Sequence, residues 1–163
     1  MVPICSAAAP TARTPSARAV ATGYVEGHRL SFDKVSTDGS GKCTLDATRN
    51  PADRVYGVVF SIADEEAAEL DRFEGLGHGY RKDDILVQTP PLEMPALTYV
   101  ATDGDPARLP YDWYKALVLQ GAVDHDLPPD YVQRIRAVNS QQDPNPERRR
   151  QNESLLRSPL SDG

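Results

Sequence analysis

A chain of 163 residues has the size of one domain, and 39% hydrophobic with 26% charged residues is the balance of a globular protein. Its formal net charge of −6 argues against the concentrated Lys and Arg that nucleic acid or an anionic membrane surface requires. No apolar run approaches the roughly 20 residues of a membrane-spanning helix, and the start lacks the features of a signal peptide. We therefore expect a cytoplasmic protein without nucleic-acid or membrane partners.

The chain has two cysteines, Cys5 and Cys43, and no paired C-x-x-C spacing. The sequence therefore predicts no metal site. Two free thiols in a reducing compartment are the favoured interpretation. A Cys5–Cys43 bridge in a secreted or regulatory domain is the alternative, which non-reducing mass spectrometry would test.

The first half of the chain predicts an arm followed by strands. Residues 1–14, rich in Ala, Pro, Ser and Thr, predict an irregular N-terminal arm. Alternating apolar residues predict a half-buried strand over Arg29–Val35, and a second short strand is predicted over Cys43–Ala47. The cluster Thr37–Gly41 between them predicts a turn. Arg54–Ile62, dense in β-branched and aromatic residues, is the clearest strand.

A helix is predicted to begin at Asp64, since three acidic residues at 64–66 favour the positive end of a helix dipole. Gly75 is well placed to end it. Four more elements are predicted, with a Pro-rich connection between the two strands: strands Tyr80–Thr89 and Ala96–Thr102, then helices Tyr111–Val123 and Asp130–Val138.

The C-terminal residues 141–163 are polar and charged and predict a solvated, disordered tail, which leaves residues 15–140 as the domain. Strands outnumber helices, and most connections are too short for helical crossovers. The predicted class is therefore α+β, with a mixed or mostly antiparallel sheet and helices on one side.

Helical spacing places Ala67, Leu70 and Glu74 on one face of the first helix, whereas Asp71 and Arg72 are predicted to point to solvent. Burial and the negative end of the dipole both disfavour a carboxylate at Glu74, so its pKa is expected above the ordinary value of about 4.3. Such a carboxyl suits a general base. A solvated glutamate at a frayed helix end is the alternative, because the sequence leaves its burial open.

Several motifs follow one another in a fixed order. VYGVVFSI precedes AAELDRFEGLGHGY, and the later segments are Thr98–Val100, the Y-x-x-x-V-x-x-G-A of residues 114–122 and the LPPDYV of residues 127–132. Upstream, GHRLSF and the G-S-G-K-C of residues 39–43 are of a bacterial type, the latter without an assigned role. Together these segments, over roughly residues 15–138, resemble the small bacterial branch of the gamma-glutamylcyclotransferase family.

The resemblance implies a barrel-like mixed or antiparallel sheet with a few helices, and conversion of gamma-glutamyl amino acids or amides to 5-oxoproline with release of the amine. It implies that Glu74 is the general acid/base and that Tyr80, Tyr99 and Tyr114 line the substrate pocket, against the alternative of core tyrosines with satisfied hydroxyls. The substrate's own α-amino group attacks its γ-carbonyl, so no metal or other cofactor is expected. A homodimer is an expectation by analogy alone.

One family motif is missing. Members open with Y-x-A-Y-G-S-N, whose backbone amides hold the substrate's glutamyl carboxylate, whereas residues 1–13 read MVPICSAAAPTAR. We therefore expect weak or no turnover. An abnormal N-terminus from a wrong start site or frame shift, and natural divergence, are both open explanations. The alternative function is a catalytically impaired or non-catalytic binding protein on the same fold.

Overall fold

The computed structural model of the protein describes residues 14–73 and 79–156. The predictions for the arm at residues 1–13, for Cys5, for Glu74 and Gly75, and for residues 157–163 lie outside the described residues. The described part contains these elements, in chain order: β1 (Arg18–Glu26), β2 (His28–Val35), β3 (Gly41–Ala47), β4 (Arg54–Ser61), α1 (Asp64–Phe73), β5 (Tyr80–Thr89), β6 (Leu92–Ala101), α2 (Asp112–Asp124), α3 (Pro129–Ala137) and α4 (Pro146–Leu155).

The strands form two sheets in which every recorded strand pair is antiparallel. Four strands lie in the order β4-β1-β5-β6, and β2 pairs with β3 in a second sheet. The sheets meet through a side chain, since the Ala101 backbone N–H donates to the Thr44 hydroxyl over 2.8 Å. The predicted α+β class is confirmed. No helix of the described residues is long and apolar enough to cross a membrane.

The strand β1 was not predicted from the sequence. It contains Gly23. The position of Gly23 in the sheet explains why residue 23 is a glycine and why the sequence pattern did not predict the strand. A Cβ atom built at Gly23 would come within 2.4 Å of the Gln88 carbonyl oxygen on β5. The strands therefore approach each other closely only because residue 23 has no side chain, and a glycine within a strand weakens its sequence pattern.

The strand β6 begins at Leu92, four residues before its predicted start, and includes much of the predicted Pro-rich connection. Pro95 lies within it. Because β6 is at the edge of its sheet, a proline there is tolerated without loss of a ladder hydrogen bond. The hairpin therefore pairs from Tyr80 opposite Ala101 to Thr89 opposite Leu92.

The largest group of buried side chains lies between β2, β3, β4 and the helices α2 and α3. Phe32, Leu45 and Val55 from the strands pack against the helices. The helical members of this core are Trp113, Tyr114, Val118, Ala122, Tyr131, Val132 and Ile135. Two smaller clusters flank the four-stranded sheet, one of them around Val25, Val59 and Val87 and the other at the end of α1.

The structure differs from the predicted disordered tail, because residues 146–155 form the helix α4. The Asn145 side chain caps it by accepting the backbone N–H groups of Glu147 and Arg148, and Pro146 occupies the first turn. Asp143, with a fully buried side chain, pairs with Arg148 on the helix. The sequence prediction relied on the polar composition of this segment and gave no weight to the helix-starting residues Asn145 and Pro146.

Candidate active site

The C-terminal half of α1 lies against the start of β5 and the end of β6, where an apolar cluster forms. Leu70 and Tyr99 are its buried members, with exposed fractions of 6% and 8%. Phe60, Ile62 and Tyr80 are partly buried against them. Two of the three tyrosines predicted to bind substrate, Tyr80 and Tyr99, therefore come together beside α1.

The prediction that Asp71 points to solvent is wrong. Its carboxylate accepts a hydrogen bond of 2.5 Å from the Tyr99 hydroxyl and one of 2.6 Å from the Lys82 ammonium. Lys82 and Tyr99 are directly opposite each other on β5 and β6, so they present their side chains to α1 on the same face of the sheet. The prediction assumed that only apolar side chains face this helix. The sheet also presents the polar side chains of Lys82 and Tyr99 to it, and these bind Asp71. Arg72 is exposed, as predicted.

The pKa of Asp71 lies below its ordinary value. Burial raises this pKa, but the hydrogen bonds from Lys82 and Tyr99 and the charge of Lys82 together lower it further than burial raises it. Asp71 is therefore an ionised carboxylate at neutral pH. In that form it only accepts hydrogen bonds.

Tyr80 lies beneath a second lysine. The Lys34 ammonium is 4.5 Å from the centre of the Tyr80 ring, which is the distance of a cation–π contact. Gly79, with a φ of +126°, places its backbone beside the same lysine, since a Cβ atom there would be 3.3 Å from Lys34 Cε. The chain thus enters β5 with Lys34 beside Gly79 and Tyr80.

Tyr114 occupies a different part of the protein. It is 3% exposed and belongs to the main core. Its hydroxyl accepts the Cys43 backbone N–H over 3.1 Å and lies 3.2 Å from Cys43 Sγ. This is the environment of the core-tyrosine alternative, and Cys43 is a buried free thiol. The structure therefore groups Tyr114 with the core and not with the cluster of Tyr80 and Tyr99.

Glu74, the predicted general acid/base, lies outside the described residues and directly follows the last described residue of α1. The residues that sequence reasoning missed at this site are Asp71, Lys82 and Lys34. Asp71 lies within the AAELDRFEGLGHGY segment, but helical phase gave it no partner. Within the described residues, no group of three or more His, Cys, Asp or Glu side chains could hold a metal ion.

Solved structures define the class of fold. The chain superposes on a gamma-glutamyl cyclotransferase with a TM-score of 0.81 at 22% identity, covering 94% of both chains. An uncharacterized protein from Homo sapiens gives a TM-score of 0.78 at 23% identity, over 91% of this chain and 89% of that one. The predicted gamma-glutamylcyclotransferase-like fold is thus confirmed.

Sequence comparisons define the family. The model of the AIG2-like family matches residues 54–135. A gamma-glutamylcyclotransferase of Mus musculus is 30% identical over 92 residues, which are 55% of this chain and 48% of the mouse protein. A gamma-glutamylcyclotransferase of Homo sapiens is 27% identical over 133 residues, covering 77% of this chain and 69% of the human protein. The chain belongs to the AIG2-like, gamma-glutamylcyclotransferase-like family, and its match spans about half the length of the mouse relative.

Proposed function

We propose that the protein is a cyclotransferase that converts gamma-glutamyl amino acids or amides to 5-oxoproline and releases the amine, with Glu74 as general acid/base. The observation that carries the proposal is the meeting of Tyr80 and Tyr99 against the last described turns of α1. This is the part of the fold that directly precedes Glu74 in a chain whose relatives are gamma-glutamylcyclotransferases.

The chemistry needs few groups. The α-amino nitrogen of the substrate attacks its own γ-carbonyl carbon, a five-membered ring closes, and the bond from that carbon to the amide nitrogen breaks. One carboxylate is sufficient to take the proton from the ammonium group and to return it to the leaving amine. Since nucleophile and electrophile belong to one molecule, most of the proximity is already built into the substrate.

The side chains around the site support an amino-acid ligand. The phenol rings of Tyr80 and Tyr99 offer apolar surface and a polar edge. Lys34 and Lys82 add positive charge within 6 Å of those rings. Asp71 balances one of these charges. The mixture of apolar, cationic and anionic groups matches a ligand that carries an aliphatic chain, carboxylates and an ammonium group.

The test compares 5-oxoproline release by the unaltered protein and by Glu74→Gln on a panel of gamma-glutamyl amino acids and amines. Glu65→Gln is the matched control, because Glu65 is an exposed carboxylate on the first turn of the same helix. We expect Glu74→Gln to abolish release while it folds and binds ligand as before, and Glu65→Gln to release 5-oxoproline at the unaltered rate. Equal release by Glu74→Gln would contradict the proposal.

A second candidate function is ligand binding without turnover. It is favoured by one observation, that Y-x-A-Y-G-S-N is absent from the sequence. Measuring ligand binding and 5-oxoproline release on the same protein distinguishes the two functions. Calorimetric binding of gamma-glutamyl ligands together with no release of 5-oxoproline supports the binding protein, whereas release that requires Glu74 supports the enzyme.

A further inference from the structure

The hydroxyl of Tyr99 has one hydrogen, and Asp71 accepts it. The bond of 2.5 Å has the length of a hydrogen bond from a hydroxyl to a carboxylate. The direction of this bond is fixed by chemistry, since an ionised carboxylate has no hydrogen to donate. The Tyr99 hydroxyl is therefore the donor.

Lys82 fixes the carboxylate in this role. Its ammonium group is 2.5 Å from Asp71 Oδ1 and 2.6 Å from Asp71 Oδ2. The side chains of Asp71 and Lys82 are 23% and 29% exposed, so water competes only in part for this pair. The ion pair is neutral overall, and it holds the acceptor of the Tyr99 hydrogen in one place.

A consequence follows for any other polar partner of the Tyr99 hydroxyl. Such a partner meets the lone pairs of the phenol oxygen, and so it must itself be a donor. A phenol can stabilise a substrate carboxylate or a developing oxyanion by donating its hydrogen. Tyr99 does not have this role here, because its hydrogen is already donated to Asp71. In a gamma-glutamyl ligand the strongest donor is the α-ammonium group.

We propose that Asp71 is a positioning residue which, held by Lys82, turns the Tyr99 hydroxyl into an acceptor for the α-ammonium group of a gamma-glutamyl ligand. The choice of ligand rests on the proposed function. The arrangement selects for ligands with a free α-amino group, and it holds that group through Tyr99 without direct contact between Asp71 and the ligand.

The experiment measures binding by calorimetry of gamma-glutamyl-alanine and of glutaryl-alanine, which keeps both carboxylates and lacks the α-amino group. A Glu74→Gln background prevents consumption of the first ligand. We expect this protein to prefer gamma-glutamyl-alanine by about tenfold or more, the size of one charge-assisted hydrogen bond. Tyr99→Phe and Asp71→Ala should each remove most of the preference, and the double variant should remove no more than either alone.

Asp83→Asn is the matched control. Asp83 pairs with Arg81 over 2.9 Å, and as the neighbour of Lys82 in β5 it points to the opposite face of the sheet. It should keep the tenfold preference. Asp71→Leu keeps a side chain of similar size but offers no hydrogen-bond acceptor, and if Asp71→Ala fails to fold, the loss of preference in Asp71→Leu is the deciding result.

Three results would overturn the inference: no preference in the Glu74→Gln protein, an equal loss of affinity for both ligands in the Asp71 variants, or a preference unchanged in those variants. Its failure is distinguishable from that of the proposed function. A preference that depends on Asp71 and Tyr99, in a protein whose Glu74 form releases no 5-oxoproline, supports this inference and contradicts the cyclotransferase. Turnover that requires Glu74, with no role for Asp71 in the preference, does the opposite.

Discussion

Lys42 has its ammonium group enclosed by polar and aromatic groups of the protein. It donates to Asp38 Oδ2 over 2.8 Å and to Ser40 Oγ over 2.7 Å. The same nitrogen is 4.6 Å and 4.8 Å from the ring centres of Tyr114 and Trp113. This gives the G-S-G-K-C segment a structural role, which the sequence left unassigned: its lysine fixes the loop before β3 onto the aromatic residues of α2.

The Asp38–Lys42 pair predicts a pH dependence of stability. Burial raises the pKa of Asp38, but hydrogen bonds from Lys42 and Ser40 lower it to about 2. A carboxyl with a depressed pKa in the folded protein stabilises it above the unfolded pKa of about 4, and this contribution is lost as the pH falls toward 2. The contribution near neutral pH is about 2 kcal/mol.

Urea unfolding of the unaltered protein and of Asp38→Asn, at a series of pH values, measures this contribution. The unaltered protein should be more stable near pH 6, and the difference in unfolding free energy should shrink as the pH falls from about 4 to about 2. A difference that stays constant over this range would show that Asp38 does not titrate as described.

At the scale of secondary-structure elements, α4 is held by one buried carboxylate. Asp143 accepts two bonds of 2.6 and 2.7 Å from Arg148 and one of 2.8 Å from the indole N–H of Trp113. The pKa of Asp143 is well below its usual range because of the Arg148 hydrogen bonds. The carboxylate therefore joins α4 to the start of α2.

Asp143→Ala should detach α4 and destabilise the protein by about 3 kcal/mol, since it leaves the Trp113 N–H and the Arg148 guanidinium without their partner. Asp130→Ala is the control, because the exposed Asp130–Arg134 pair of 3.6 Å contributes at most about 0.5 kcal/mol. Thermal unfolding gives both stabilities, and limited proteolysis reports on α4. Equal stability of the two variants would contradict this account of α4.

The sequence predicted those elements whose own residues carry a periodic pattern. Strand β4 and helices α2 and α3 lie within one residue of their predicted positions, and α1 begins at its predicted start, Asp64. It missed α4, whose ten residues bury no side chain and so show no apolar stripe. It missed β1 as well, where Gly23 interrupts the pattern. Both depend on partners distant in sequence, which local patterns do not contain.

The candidate site shows the same division. The family pattern predicted Tyr80 and Tyr99, which the structure brings together. The partnership of Asp71 with Lys82 and Tyr99 could not be predicted, because it depends on how β5 and β6 pair and on where α1 crosses them. Tyr114 matches the family pattern as well as the other two tyrosines do, yet its surroundings are those of the core. The family pattern therefore identifies a residue but does not predict which side chains surround it in the folded protein.

At the scale of the whole molecule, two threonines test how the sheets are joined. The Thr44 hydroxyl accepts the Ala101 backbone N–H and so links β3 to β6. Thr98, also on β6, is fully buried, and its hydroxyl oxygen has no hydrogen-bond partner among the described residues. The same substitution should therefore have opposite effects at the two positions.

Thr44→Val should cost about 1 kcal/mol, because it leaves a part-buried N–H without its acceptor. Thr98→Val should be neutral or stabilise by about 1 kcal/mol, because it removes an unsatisfied buried hydroxyl in exchange for a methyl group of similar size. Chemical denaturation gives both values. A greater loss of stability at Thr98 than at Thr44 would contradict the described junction of the sheets.

The family and the fold of the chain follow from the comparisons and the structure, while its cytoplasmic location, its lack of nucleic-acid and membrane partners and a homodimer stay predictions. The central claim is the reaction, and the release of 5-oxoproline from gamma-glutamyl amino acids and amines tests it most directly. We predict release that is slow, because the sequence has no Y-x-A-Y-G-S-N, and that disappears in Glu74→Gln. Release that is unchanged in Glu74→Gln would contradict the account, and no release from any gamma-glutamyl substrate would favour the binding protein over the enzyme.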